Sequence, residues 1–285
     1  MTNATQTQTP IDDDYRLHRR FDRIGRLVGD GGMARLFGAR VAVIGLGGVG
    51  SYAAESLVRS GIGCVDLVDF DLVCITNSNR QLQAMKGTIG KSKAEVLADR
   101  LAMVNPKAQV NAVQYFYNDR TSERLLNPEG QALDFVVDAI DNVTAKCHLL
   151  ATCKKLGIPV ISSTGASGRF DPTAVKVADL AKTTVDPLAR DVRKILRTQY
   201  GFPSGKKKFK IPAVYSTELI TAPQELTYDN GEGFRCVCPG GSNGMHSCDK
   251  RSVIYGTAGF VTGTFGMVCA SVVVKAIAQG EPSTN

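Results

Sequence analysis

The stretch "VIGLGGVG", Val43 to Gly50, decides the fold of this chain. It closes the apolar run "ARVAVIG", and a run without polar alternation is a strand buried on both faces, as in a parallel sheet. Gly45, Gly47, Gly48 and Gly50 end that strand, so backbone amides and the N-terminus of the following helix face an anion. The helix is "SYAAESLVRSG", closed by Gly61. The next strand is "CVDLVDFD", ending in Asp69 and Asp71.

Outward from this unit the alternation continues. "KSKAEVLADRLAMVNP" is a helix carrying apolar Val96, Leu97, Leu101 and Val104 and ending before Pro106. "QVNAVQYFY" alternates as a strand, and "LDFVVDAIDN" is a buried strand whose tip exposes Asp138, Asp141 and Asn142. A helix over "TAKCHLLATCKKLG" and a strand over "IPVISSTGA" follow. The expected fold is therefore α/β, a doubly wound, Rossmann-like, mostly parallel sheet, with N-terminal helices over 15–38 and a C-terminal extension. Residues 1–14, rich in Thr, Gln and Asn, are expected to be a disordered tail, and 15–285 one domain. From Asp186 the pattern weakens into a basic helix, a glycine and lysine loop, and "FRCVCPGGSNGMHSCDKR".

A glycine loop followed about 20 residues later by an acid ordinarily signals a dinucleotide-binding dehydrogenase. Asp69 has that spacing and suits ribose hydroxyls; the bland alternative is a surface-turn acid. Asp71 is a second ribose contact or a helix cap. The text then runs through Asn77, Arg80 and Gln81 to Lys93. Hydride transfer has no use for that arginine, whereas a site that breaks a triphosphate does. Pyrophosphate leaving an α-phosphorus carries growing negative charge, which preorganised Arg80 and Lys93 stabilise best in a dry site. Asp141 suits Mg²⁺ shared with phosphate oxygens. Each has a plain reading alone: Arg80 a surface ion pair, Lys93 a solvated helix face, Asp141 an N-cap.

Composition sets the frame. At 43% hydrophobic and 21% charged the chain reads as an ordinary soluble globular protein. Eight scattered cysteines and no apolar run in the first fourteen residues suggest reduced thiols and a cytoplasmic location. Between Arg190 and Lys210 eight basic residues face one acid, Asp191, a local excess equal to the entire net charge of +7. Such focused charge favours a polyanionic partner such as nucleic acid; the alternative is a solvated, flexible loop. "YGTAGFVTGTFGMVCASVVVKAIA", from Tyr255 to Ala278, has the length of a membrane span. Its four glycines and three threonines favour a buried helix and no membrane. Gly259, Gly263 and Gly266 would admit another backbone, as at a subunit interface.

Taken in order, "GLGGVG", "DFD", "TNSNRQ", "GKSK" and "DAIDN" resemble the ubiquitin-activating-like adenylating enzymes, which include the activators of molybdopterin synthase and thiamine sulfur carriers. The resemblance implies ATP at the glycine loop, Asp69 on ribose, Asn77, Arg80 and Lys93 on phosphates, and Asp141 on Mg²⁺. It makes 15–170 an ATP-binding core and 171–285 a substrate-binding and dimerisation part. "RRFDRIGRL" looks like the family's N-terminal element, with Phe21 where that family has Tyr; its Arg23 would enter the neighbouring subunit's ATP site, implying a homodimer.

Sulfur-carrier activators have paired Cys-x-x-Cys zinc ligands in the second half, and this chain lacks that spacing. "ADLAKTTVDPLARDVRKILR" and "AVYSTE" instead resemble the branch that dehydrates threonylcarbamoyladenosine in tRNA. That resemblance implies an ATP-dependent, cyclising ligase type of chemistry, and a tRNA substrate agrees with the basic patch. Adenylation of a ubiquitin-like sulfur carrier's C-terminus is the alternative. Cys236, Cys238, His246 and Cys248 are a Cys₃His zinc site, or Cys248 is a catalytic or sulfur-accepting thiol served by a cysteine desulfurase system, or all are free thiols. Cys64, Cys74, Cys147, Cys153 and Cys269 read as core, and His18 and His148 as without chemical role.

Overall fold

A computed structural model of the chain describes residues 18–205, 207–226 and 254–280. Cys236, Cys238, His246 and Cys248, with Lys206, lie outside the described residues. Helix α1, Asp22–Gly38, leads into β1, Arg40–Ile44. Then come α2, Gly50–Arg59; β2, Cys64–Val68; α3, Lys93–Val104; β3, Gln109–Val113; and α4, Ser122–Leu126. They are followed by β4, Phe135–Asp138; α5, Val143–Leu156; and β5, Val160–Ser163. The remaining elements are β6, Val175–Asp179; α6, Pro187–Gln199; β7, Pro212–Ser216; and α7, Gly259–Gln279.

The seven strands form one sheet in the order β3-β2-β1-β4-β5-β7-β6. Every pairing is parallel except β6 with β7. Strand periodicity divides the core in two. Val41 and Val43 of β1 pack with Leu57, Leu97, Phe265 and Val273 on one face, while Ala42 and Ile44 pack with Leu149, Leu150, Val192 and Leu196 on the other. The doubly wound expectation is met. Chain order reverses between β2 and β4 about β1, and ligands bind beyond the carboxyl ends of strands at such a switch point. Gly45 sits there with φ +92°, and a Cβ on it would lie 2.7 Å from the Ala139 carbonyl oxygen. No other residue type fits that approach to β4.

Some expectations shift. The N-terminal helix is interrupted at Gly29, φ 70°, because glycine enters the left-handed region without steric cost. The strand expected through Tyr117 ends at Val113; Phe116 turns away to meet Phe70 edge-on, ring centroids 4.9 Å apart. Asp138 is fully buried rather than exposed at a tip. Its carboxylate accepts from Lys146 Nζ at 2.6 Å and Ser162 Oγ at 2.6 Å. The glycines of α7 do not await another subunit. A Cβ on Gly266 would lie 2.3 Å from the Val49 carbonyl oxygen, one on Gly263 3.2 Å from the Tyr52 ring, and one on Gly259 2.5 Å from the Asn79 carbonyl oxygen. The backbone that approaches is this chain's own α2 and the turn before Arg80. Helix α7 is long and apolar enough to cross a membrane, yet half of its most apolar window is buried against the rest of the fold.

Candidate active site

The glycine loop is fastened from both sides. Gly45 N–H donates to Val68 O at 2.9 Å, and Leu46 N–H donates to Asp69 Oδ2 at 2.6 Å. Asp69 Oδ1 accepts from Asp71 N–H at 2.8 Å. A carboxylate offers about four lone-pair positions, so Asp69 retains capacity for ribose hydroxyls while holding the loop. It is buried, and burial pushes its carboxyl above the usual carboxylate range, with Asp71 adding to the rise and Lys93 opposing it.

Lys93 is not on a solvated helix face. Ser92 caps α3 by accepting from Glu95 N–H at 3.4 Å, and Lys93, the first residue of that helix, turns inward. Its Nζ lies 2.8 Å from Asp71 Oδ2, with the lysine side chain 8% exposed and the aspartate 41%. Burial works against its charge, but Asp69 and Asp71, with Asp141 beyond, hold the ammonium above its ordinary pKa. Asp71 is thus an ion-pair partner of Lys93, not a helix cap. Asp141 is exposed three residues beyond the end of β4, and the cap of α5 is Asn142, whose Oδ1 accepts from Ala145 N–H at 3.0 Å. One ammonium among three carboxylates leaves local negative charge that a Mg²⁺ would offset. Among the described residues no cluster of three metal-ligating side chains exists. An ion at the exposed carboxylate of Asp141 would need oxygens from a nucleotide and water to complete its ligands.

Arg80 is presented by a turn. Asn77 is buried and its Oδ1 accepts from Cys74 N–H at 3.0 Å; its carbonyl accepts from Arg80 N–H at 3.0 Å and Gln81 N–H at 2.9 Å. Asn77 therefore shapes the turn that carries Arg80. Arg80 Nη1 donates to Thr76 O at 2.9 Å and Asn79 Oδ1 at 3.0 Å. A Cβ on Gly48 would be 3.2 Å from Arg80 Cγ, and one on Gly47 3.9 Å from Gln81 Nε2. The structure thus brings Gly45, Gly47, Gly48, Gly50, Asp69, Asp71, Asn77, Arg80, Gln81 and Lys93 around one loop. Arg23 is exposed on α1, a helix that packs against α7 rather than on this loop.

Two contributors carry no sequence signal. Gln83 is fully buried; its Nε2 donates to Leu46 O at 2.6 Å, and its Oε1 has no hydrogen-bond partner among the described residues. Thr262 of α7 reaches back, its Oγ1 2.8 Å from where a Cβ on Gly48 would stand. The return of α7 reveals the Thr262 contact, and the folding of the turn after Arg80 against the glycine loop reveals that of Gln83.

The described residues at the two ends of the lysine loop are anchored. Phe202 and Phe209 stack edge-on, centroids 5.0 Å apart, and Phe209 is buried. Asp179 accepts from Phe209 N–H at 2.9 Å and Lys210 N–H at 2.7 Å. The Arg197 guanidinium lies over the Phe209 ring, 5.2 Å from its centroid, and its Nε donates to Pro203 O at 3.3 Å. Lys207, Lys208 and Lys210 are exposed, as are Arg190 and Lys194 of α6, and Arg197 of that helix ties the loop to it.

Similarity to known proteins agrees with this geometry. Residues 21–285 match the ThiF family. The chain is 43% identical to the tRNA threonylcarbamoyladenosine dehydratase of Haemophilus influenzae, across 92% of this chain and 94% of that protein. It is 38% identical to the Escherichia coli protein of the same name, across 93% and 95%. The crystal structure of the Escherichia coli enzyme in complex with ATP matches with a TM-score of 0.79 at 34% identity, covering 95% of this chain and 98% of that one. Its complex with AMP matches with a TM-score of 0.79 at 35% identity, covering 96% and 98%. By sheet order, by the loop at its switch point and by similarity along nearly its whole length, this chain belongs to the ThiF family.

Proposed function

We propose that this protein is an ATP-dependent dehydratase that cyclises N6-threonylcarbamoyladenosine in tRNA by adenylating its free carboxylate. The observation that carries the reading is the convergence of Arg80 and a buried, charged Lys93 on a glycine loop held by Asp69. ATP lies along that loop, with Asp69 on the ribose and Arg80 and Lys93 toward the phosphates. When bound, Mg²⁺ supplies charge neutralisation of the phosphates, and Asp141 is the residue that would hold it. The substrate carboxylate oxygen attacks the α-phosphorus, and the bond to pyrophosphate breaks. Arg80 and Lys93 stabilise the charge that gathers on the leaving group. An atom of the same side chain then attacks the activated carbonyl carbon and releases AMP. That closure is intramolecular, so orientation alone supplies much of its rate and no enzyme nucleophile is required.

The exposed lysines and α6 hold tRNA phosphates rather than bases, because lysines supply charge without a fixed hydrogen-bond pattern. Arg23 completes the site of a second copy in a homodimer. Exposed Leu27 on the same helix and an open groove of about 820 Å³ between α1, α2 and α7 give that face apolar surface to cover. The enzyme works in the cytoplasm without a membrane, and a cysteine desulfurase or other sulfur-acceptor system is a further candidate partner through Cys248. The test is nucleoside mass spectrometry of tRNA carrying threonylcarbamoyladenosine after incubation with the protein, ATP and Mg²⁺. Loss of one water from that nucleoside is expected. Unchanged nucleoside, with adenylation of a sulfur carrier's Gly-Gly terminus instead, would overturn the reading.

A further inference from the structure

Arg169 and Asp186 belong to no nucleotide motif, yet both side chains are wholly enclosed and lie 3.0 Å apart, Nη2 to Oδ2. Arg169 gathers the loop after β5. Its guanidinium donates to the carbonyls of Gly165 and Ser167, and to that of Glu218 at 3.3 Å. Asp186 works in two directions. Oδ1 caps the basic helix α6 by accepting from Ala189 N–H at 2.6 Å, and Oδ2 accepts from Gly165 N–H at 3.1 Å. A Cβ on Gly165 would stand 2.9 Å from Oδ2, so the loop and the cap are pressed together. Val185, immediately before the cap, has φ 66°. A β-branched residue in that region is strained and persists only where its surroundings over-determine it.

The same loop reaches the phosphate turn. Gly168 N–H donates to Gly256 O at 2.8 Å, and Asn79, next to Arg80, donates through Nδ2 to Thr257 O at 2.7 Å. A continuous set of bonds thus runs from the N-terminus of α6, through Asp186, Arg169 and Gly168, to the turn that carries Arg80. Burying an ion pair is seldom a route to stability, since an apolar pair of similar volume does as well. A use such a buried pair can serve beyond stability is registration.

Building on the dehydratase reading above, we propose that Arg169 and Asp186 are positioning residues that fix the register between the tRNA-holding helix α6 and the adenylation crevice. A tRNA held by its phosphates must deliver one carboxylate to one phosphorus. Displacement of about 1 Å between the two sites costs about 10²-fold in rate while leaving the phosphate contacts intact.

The test uses the full-length protein with the single substitutions Asp186→Asn and Arg169→Lys. Asparagine keeps the cap acceptor but turns an N–H₂ toward Gly165 N–H and Arg169. Lysine keeps charge but loses the fork that gathers the carbonyls. At a temperature where thermal melts show each variant folded, kcat for water loss should fall about 10-fold or more. The Kd for tRNA and the KM for ATP should stay within about 3-fold. A kcat within about 2-fold of the parent would overturn the proposal and leave the pair only a fold element. So would a loss carried wholly by tRNA affinity. Should Asp186→Asn not fold, Arg169→Lys decides by the same thresholds. If the parent itself binds tRNA but removes no water, the dehydratase reading fails first, and this proposal with it.

Discussion

Lys93→Met removes the ammonium and keeps most of the side-chain volume, so its consequences follow from the three carboxylates that remain. Asp71 loses a partner at 2.8 Å, but at 41% exposed it regains water. The stability cost is therefore about 1–2 kcal/mol, below the 3–5 kcal/mol of a fully buried pair. Asp69 cannot rehydrate. Lys93 is the charge that opposes its rise, so its carboxyl moves further above the usual range in the variant. Ionising Asp69 is then harder than in the parent, so the residual activity should lean further toward alkaline pH than the parent's does. The missing transition-state charge partner costs about 10²–10³ in kcat, by analogy with removal of one oxyanion donor. Pyrophosphate release at saturating ATP and tRNA, with a thermal melt in parallel, measures both effects. A kcat within about 3-fold of the parent, with an unchanged pH profile, would refute the placement of Lys93 at the leaving group.

Other consequences are as specific. Gly266→Ala should destabilise the fold by about 2–3 kcal/mol in denaturant titration, because its Cβ meets the backbone of α2 at 2.3 Å and 2.9 Å and backbone cannot rotate away. Glu55 is clamped by Arg59 at 2.8 Å and Arg100 at 2.5 Å; burial works to raise its pKa, but hydrogen bonds from Arg100 and Arg59 carry it below the ordinary 4.5. A depressed carboxyl stabilises above its unfolded pKa and loses that contribution as pH falls through the folded one. Glu55→Gln should therefore cost about 1–2 kcal/mol at pH 7, with the gap from the parent closing in acid melts below about pH 4. Neutralising Lys207 and Lys208 together should weaken tRNA binding and flatten its salt dependence, the slope falling by roughly 0.7–0.9 for each phosphate no longer engaged, with ATP binding unchanged. Mixing Arg23→Ala with Asp141→Ala protein should restore part of the activity each lacks alone; a fully active monomer would exclude the shared site.

The sheet and the nucleotide loop were legible because their signals are local. A buried strand ending in glycines needs only a dozen residues to be read, and Asp69, Arg80 and Lys93 follow within fifty. Lys93 was legible as a residue but not as a buried one, since its inward turn depends on Ser92 capping α3. Asp138 was misplaced because a strand-tip acid looks solvent-facing until Lys146, one helix later, is folded over it. The small-residue face of α7 was recognised, but which backbone covers it depends on a packing some 210 residues away in sequence. Gln83, Thr262, Arg169 and Asp186 were invisible for the same reason: each acts through a partner that only the closed fold supplies.

The most direct test of carboxylate adenylation follows the oxygen. tRNA bearing threonylcarbamoyladenosine with both carboxylate oxygens as ¹⁸O is incubated with the protein and unlabelled ATP, and the released nucleotide is weighed. Attack by the carboxylate on the α-phosphorus, followed by ring closure, leaves one ¹⁸O in AMP for each water lost from the nucleoside. Unlabelled AMP, or ADP and phosphate in its place, would contradict the account.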